Sequence, residues 1–230
     1  MRTKSAVVVA CLVAGGVLTG CAGGGGGSEE RTAQELLDEA NATMSDLKSV
    51  TIEATTIKPK GDTFTTRLTT DLDGRCTSKV TWGEKGAALE QIRIDTTDYV
   101  RPNRAYLEEW SGKAVDRAQD TWFRAPVSDA QPDSGLSECT RDFTSFGTAK
   151  KGEPTKIDGT SAIALAVTDK SVKTGAYTFY VATEGEPYLL KVVYKGTDFH
   201  TTTTYSDFDK PLRVKAPAAV DVLDASSLGR

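Results

Sequence analysis

Apolar residues fall at helical spacing most clearly near the start of the folded part of the chain. Leu36, Leu37, Ala40, Met44 and Leu47 share one face, and Glu35, Asp38, Asn41 and Asp46 lie on the other. Thr32-Ala33-Gln34-Glu35 precedes them as a capping box, in which Thr and the third-following Glu satisfy free donors at a helix start. The spacing predicts a helix over Thr32–Lys48 with a Leu/Met stripe that must be buried. From residue 50 the period drops to two. Val50 to Ala54 alternates, and Phe64, Leu68 and Leu72 share a parity against Thr65, Arg67 and Asp71. Asp73-Gly74 is a hairpin signal, and Cys76, Val80 and Trp82 follow on one parity. Leu89 to Ile94 and Thr97 to Arg101 read as two more strands of an antiparallel meander with one face wet and one buried.

The middle of the chain reads differently. Glu108 to Ala118 is charged and fits a short helix or an irregular crossover. Thr121 to Arg124 fits a brief strand, and Ser128 to Gly135 a loop. Leu136, Cys139, Phe143 and Phe146 fall at helical spacing and predict a second helix over 136–146. The last third returns to strands. Ile163, Leu165 and Val167 share a face, Tyr177 to Ala182 forms a run, and Tyr188, Leu190, Val192 and Tyr194 alternate with Lys191 and Lys195. Phe199, Thr201, Thr203 and Tyr205 follow. These patterns predict one α+β domain, a curved antiparallel sheet with helices packed on it. Ile52, Leu68, Val80, Ile163, Leu165, Val167, Leu190 and Val192 carry the apolar parity of their strands and are expected to point toward the helices.

The first 30 residues carry a different signal. Arg2 and Lys4 give a positive start, Ser5 to Val17 is apolar, and small residues precede Cys21. That is a secretory signal pattern, and the run is short of the about 18 to 20 residues of a membrane span. Leu18-Thr19-Gly20-Cys21 resembles the lipobox of bacterial lipoproteins. The resemblance implies cleavage before Cys21, a diacylglycerol on its sulfur and attachment to a membrane. An ordinary signal peptide with an incidental cysteine is the other reading. The following Gly23 to Gly27 and Ser28-Glu29-Glu30 read as a flexible tether. The expected organisation is a signal peptide at 1–20, an acylated tether at 21–30, a single domain at 31–224 and a tail at 225–230.

Loss of the signal removes Arg2 and Lys4 and moves the formal charge from −4 to −6. A mildly acidic domain argues against nucleic acid as a partner. Of the four cysteines, Cys11 leaves with the signal and Cys21 is the lipid site, so Cys76 and Cys139 remain. In an exported domain they are expected to form a disulfide, with two separate buried thiols as the alternative. No metal is expected, because neither a Cys-x-x-Cys pair nor a histidine cluster accompanies them.

Several stretches together carry a family resemblance: Asp158-Gly159-Thr160-Ser161-Ala162, Phe179-Tyr180-Val181, Glu186 to Val192, Tyr205-Ser206-Asp207-Phe208-Asp209 and Val214-Lys215-Ala216-Pro217. They look like the carboxy-terminal half of actinobacterial LppX/LprG-type lipoproteins, a group similar in fold to the LolA and LolB carriers. The resemblance implies a strongly curved antiparallel half-barrel with helices on its concave face. It further implies a space that takes lipids or acyl chains in characterised relatives. Residues 104–150 find no match in that pattern.

Catalytic chemistry is thinly represented. His200 is the only histidine and sits on the solvent parity of its strand, so a Ser-His-Asp arrangement or a histidine metal site would need that one residue. Glu108, Glu109, Asp116 and Asp120 could be imagined as an acid/base or calcium cluster, but a solvated helix face explains them. No cofactor is implied. Two function classes remain. One is a tethered protein at the outer face of the cytoplasmic membrane that binds or carries a lipid-like ligand. The other is a non-catalytic sensor or partner that binds a peptide or a segment of another envelope protein.

Overall fold

A computed structural model of the chain describes residues 31–83, 85–111, 118–129, 135–143, 147–170 and 174–228. Cys21, the glycine run, Ala114, Asp116 and Phe146 lie outside the described residues.

Helix α1 spans Ala33–Ser45. The Thr32 hydroxyl accepts from the Glu35 backbone N–H at 3.2 Å, and Glu35 accepts from the Thr32 N–H at 2.7 Å, so the capping box closes reciprocally. Its buried face is the predicted stripe of Leu36, Leu37, Ala40 and Met44 together with Asn41, which the spacing assigns to the polar face and whose amide donates to the Leu37 carbonyl oxygen.

The strands are β1 (Val50–Ile57), β2 (Thr63–Thr70), β3 (Cys76–Trp82), β4 (Ala87–Ile94), β5 (Thr97–Pro102), β6 (Trp122–Pro126), β7 (Thr148–Ile157), β8 (Thr160–Thr168), β9 (Gly175–Ala182), β10 (Leu189–Gly196), β11 (His200–Ser206) and β12 (Val222–Asp224). Helix α2 (Arg104–Ser111) lies between β5 and β6. The strands form one sheet in the order β12-β6-β5-β4-β3-β2-β1-β11-β10-β9-β8-β7. All pairs described are antiparallel except β12 with β6.

The sheet is open and not strongly curled, which corrects the half-barrel that the resemblance implies. Its edges are β7 and β12. Strand β7 is nearly all exposed, carries Lys150, Lys151 and Lys156, and shifts register between Lys151 and Pro154. Lysines, a proline and a bulge are the usual means by which an edge strand resists further pairing.

Two further expectations are corrected. Of the helix predicted over 136–146, the described residues 136–143 hold a single 3-10 turn, Ser137–Thr140, and Arg141 is already extended. The Thr70 hydroxyl takes the Cys139 carbonyl oxygen at 2.6 Å, the acceptor that a continuing helix would need for Phe143. The second correction concerns β10. Leu189 pairs with Val181 and Lys191 with Tyr180, so Leu190 is the extra residue of a bulge. Leu189 joins the main core, while Leu190 packs with Ala162 and Ala182 in a separate small cluster.

The main core lies between α1 and one face of the sheet. It gathers Leu37, Met44, Ile52, Leu68, Leu165, Val167, Phe179 and Tyr205 with the Cys76–Cys139 disulfide, whose Cα atoms are 5.7 Å apart. The opposite face is wet. Glu90 lies between Lys79 and Arg101 on it, Glu53 pairs with Arg67, and Arg101 stacks over Trp122.

Candidate ligand cavity

One row of paired residues crosses eight strands: Val167, Tyr177, Tyr194, Thr201, Thr56, Phe64, Trp82 and Ala87. Pairing sends a whole row to one face, here the face that carries α1. Along β9, β10 and β11 this face is not filled. A cavity of about 420 Å³ lies there, bounded by Asn41 of α1 and by the segment Arg141 to Phe143.

Its walls are aromatic. The rings of Tyr177 and Tyr194 are 4.8 Å apart, and Tyr194 and Phe199 are 5.0 Å apart. Phe143 meets Tyr205 edge-on at 5.8 Å. Phe179, Leu189 and Val192 complete the apolar lining, and Thr201 and Thr203 add hydroxyls. Phe199, 40% exposed, stands at the mouth. Tyr194 keeps its place because its two neighbours are glycines. A Cβ on Gly175 or Gly196 would come within 2.5 or 2.6 Å of the Tyr194 side chain. Its hydroxyl donates to the Thr174 carbonyl oxygen at 3.1 Å.

The electrostatics are those of a binding wall. Burial pushes the Tyr205 hydroxyl above the usual tyrosine range, and burial does the same to Tyr177 with Tyr194 beside it. Both stay neutral at physiological pH. Arg141 is held at the rim by Glu138 at 2.5 Å, with its guanidinium 5.9 Å from the Phe143 ring. His200 is exposed on the other face of the sheet. Glu108 pairs with Arg104, and Glu109 with Lys85. Among the described residues, no group of three His, Cys, Asp or Glu side chains could hold a metal ion.

Of the eight residues expected to wall a ligand space, only Val192 lines this cavity. Ile52, Leu68, Ile163, Leu165 and Val167 sit in the filled core. Val80 is buried beside Gly135, where a Cβ would stand 3.2 Å from its side chain. Leu190 is turned away by the bulge. Sequence reasoning missed Phe143, Phe179, Leu189 and Tyr205. The parity of Tyr177 and Phe179, continuous with that of Leu165 and Val167 on the next strand, was the available signal.

A second cleft of about 800 Å³ lies against α2. Trp82, Tyr106 and Trp110 cluster there, with ring centroids 4.6 to 5.4 Å apart. Lys58, Lys60, Asp62, Lys85 and Glu109 share its lining. Lysines and acidic residues line this cleft, whereas aromatic rings of β9 to β11 make most of the wall of the cavity under α1, with Arg141 and Asp142 at one side.

The architecture is shared with solved structures of other proteins. No protein-family model and no curated protein matches the sequence. Among solved structures, LprF from Mycobacterium bovis is similar at 13% identity and a TM-score of 0.56, over 81% of this chain and 97% of that one. The Mycobacterium tuberculosis lipoprotein LppX is similar at 14% identity and a TM-score of 0.53, over 78% and 98%. A LolA superfamily protein from Nitrosomonas europaea aligns at 14% identity with a TM-score of 0.33. The first two likenesses establish the fold, and function is read from the site.

Proposed function

We propose that this chain is an exported lipoprotein, acylated at Cys21, that holds a lipid-like hydrophobic ligand at the outer face of the cytoplasmic membrane. The observation that carries the reading is the aromatic cavity between α1 and strands β9 to β11. Its volume lies within the range of small-ligand pockets, about 300 to 1,000 Å³, and its lining sets aromatic and aliphatic side chains beside Asn41, Arg141, Asp142, Thr201 and Thr203. The likeness in fold to LprF and to the lipoprotein LppX supports the same reading. The disulfide supports an oxidising compartment.

The role is binding without chemistry. Each CH2 moved from water into such a cavity contributes about 0.8 kcal/mol. Tyr177, Tyr194 and Phe199 offer flat faces to a chain or ring, and Thr201 and Thr203 can meet a polar head. Extraction of the purified chain with organic solvent, followed by mass spectrometry, tests the reading. A reproducible hydrophobic small molecule in stoichiometric amount is expected. A ligand-free protein that retains a peptide or an envelope protein would favour the partner-protein alternative.

A further inference from the structure

The strand pairing fixes which loops share an end of the sheet. The row from Val167 to Ala87 lies close to one end, where the turns after β1, β3, β8 and β10 emerge. The start of α1 lies at this same end. The Ala149 N–H donates to Gln34 Oε1 at 3.2 Å, Lys151 Nζ donates to the Arg31 carbonyl oxygen at 3.3 Å, and Ala149 pairs with Val167. Arg31, the first described residue, therefore lies at this end.

Three large apolar side chains remain exposed there: Trp110 at 52%, Ile57 at 47% and Phe199 at 40%. Trp110 belongs to α2 but is placed at this end by Trp82, 5.0 Å away between ring centroids. Lys58, Lys60 and Lys85 stand exposed on the adjoining turns, with Asp62 among them and Glu109 3.5 Å from Lys85. The opposite end is acidic on balance, its turns carrying Asp71, Asp73, Asp95, Asp158, Glu184 and Glu186 against Lys48, Arg75 and Lys210.

We propose that the tethered end is a docking face for an anionic phospholipid bilayer. Trp110, Ile57 and Phe199 enter the boundary between headgroups and acyl chains, and Lys58, Lys60 and Lys85 meet the phosphates. Tryptophan and lysine side chains suit that depth because each pairs an apolar body with a polar tip. The inference rests on the reading of Cys21 as the anchor. A tether of residues 21–30, rich in glycine, has a root-mean-square reach of about 16 to 19 Å. The eight-residue strand β1 is about 27 Å long. The tether thus keeps its own end of the domain nearest the membrane, and the acidic end faces away from anionic headgroups. Phe199 also stands at the mouth of the aromatic cavity. Docking would turn that mouth toward lipid.

The test uses the full acylated chain in phosphatidylcholine–phosphatidylglycerol vesicles. A water-soluble amine reagent labels it, and peptide mass spectrometry compares each lysine with the Cys21→Ser chain free in solution. The expected result is loss of labelling at Lys58, Lys60 and Lys85, with Lys48 and Lys156 unchanged. The double variant Ile57→Ser/Trp110→Ser, still acylated, should restore labelling. Equal labelling at both ends of a chain whose Cys21 carries lipid overturns the docking face and leaves the anchor standing. Unchanged protection in the double variant overturns the apolar anchors. An unmodified Cys21 in a chain that does not float with the vesicles overturns the anchor, and the docking face falls with it.

Discussion

Thr70 and Cys139 are joined twice, once directly and once through a neighbour. The Thr70 hydroxyl donates to the Cys139 carbonyl oxygen at 2.6 Å, and the Cys139 sulfur is bonded to Cys76, the residue opposite Thr70 on β3. The two links hold the 3-10 turn Ser137–Thr140 on the sheet, and Arg141 to Phe143, which bound the cavity, continue from it.

The disulfide closes a loop with a sequence separation of 63 residues. On the chain-entropy account, Cys76→Ser/Cys139→Ser should cost about 4 kcal/mol. Urea unfolding with and without a reductant measures it. Thr70→Val leaves a buried carbonyl without its donor and should cost about 1 to 3 kcal/mol.

Arg93 and Asp98 form a buried fork on adjacent strands, with contacts of 2.7 and 2.8 Å. Their side chains are 11% and 7% exposed. Arg93 also donates to the Leu136 carbonyl oxygen at 3.1 Å, just before the same 3-10 turn. Asp98→Ala strands the guanidinium and should cost about 3 to 5 kcal/mol. The double variant Arg93→Met/Asp98→Leu should recover much of that loss. Denaturant midpoints of the three chains decide between these outcomes.

Core and cavity wall should answer differently to truncation. Leu165 is 0% exposed, and Leu165→Ala should cost about 2 to 5 kcal/mol. Val192 is half-buried and borders open space. Val192→Ala should cost about 1 kcal/mol, because less packing is lost there. Thermal unfolding of both variants provides the comparison.

Glu35 gives a pH dependence of known sign. The bond from the Thr32 backbone N–H, aided by its hydroxyl, holds the Glu35 carboxyl below its ordinary value of 4.5. Its contribution to stability is present above the unfolded-state value and is lost as the pH falls through the lower folded-state value. Glu35→Gln should therefore remove part of the acid-side loss of stability and leave a flatter profile below pH 4.5. Urea midpoints across that range check it.

The parts of the fold legible in sequence are those whose apolar period is strong. The stripe of α1, the alternation in β1 to β4, and Ile163, Leu165 and Val167 in β8 all identify their buried faces. Strand β7 was illegible because an exposed edge strand, Thr148–Ile157, carries almost no apolar signal. The bulge in β10 reversed the parity between Leu190 and Val192, which no local pattern announces. The helical spacing of Leu136, Cys139 and Phe143 reflects three side chains that meet the core from a 3-10 turn and the residues on either side of it. The cavity was the least legible feature. Apolar parity marks the residues that face inward but not where the facing layer ends, and over β9 to β11 α1 brings only Asn41 to the cavity wall.

The central claim is that the cavity under α1 holds a hydrophobic ligand, and native mass spectrometry of the purified full chain beside its Val192→Trp variant tests it most directly. The account predicts a bound hydrophobic mass on the parent chain, lost in a variant that keeps the parent's melting behaviour. A parent chain without bound mass, or a folded variant that retains the same mass, would contradict it.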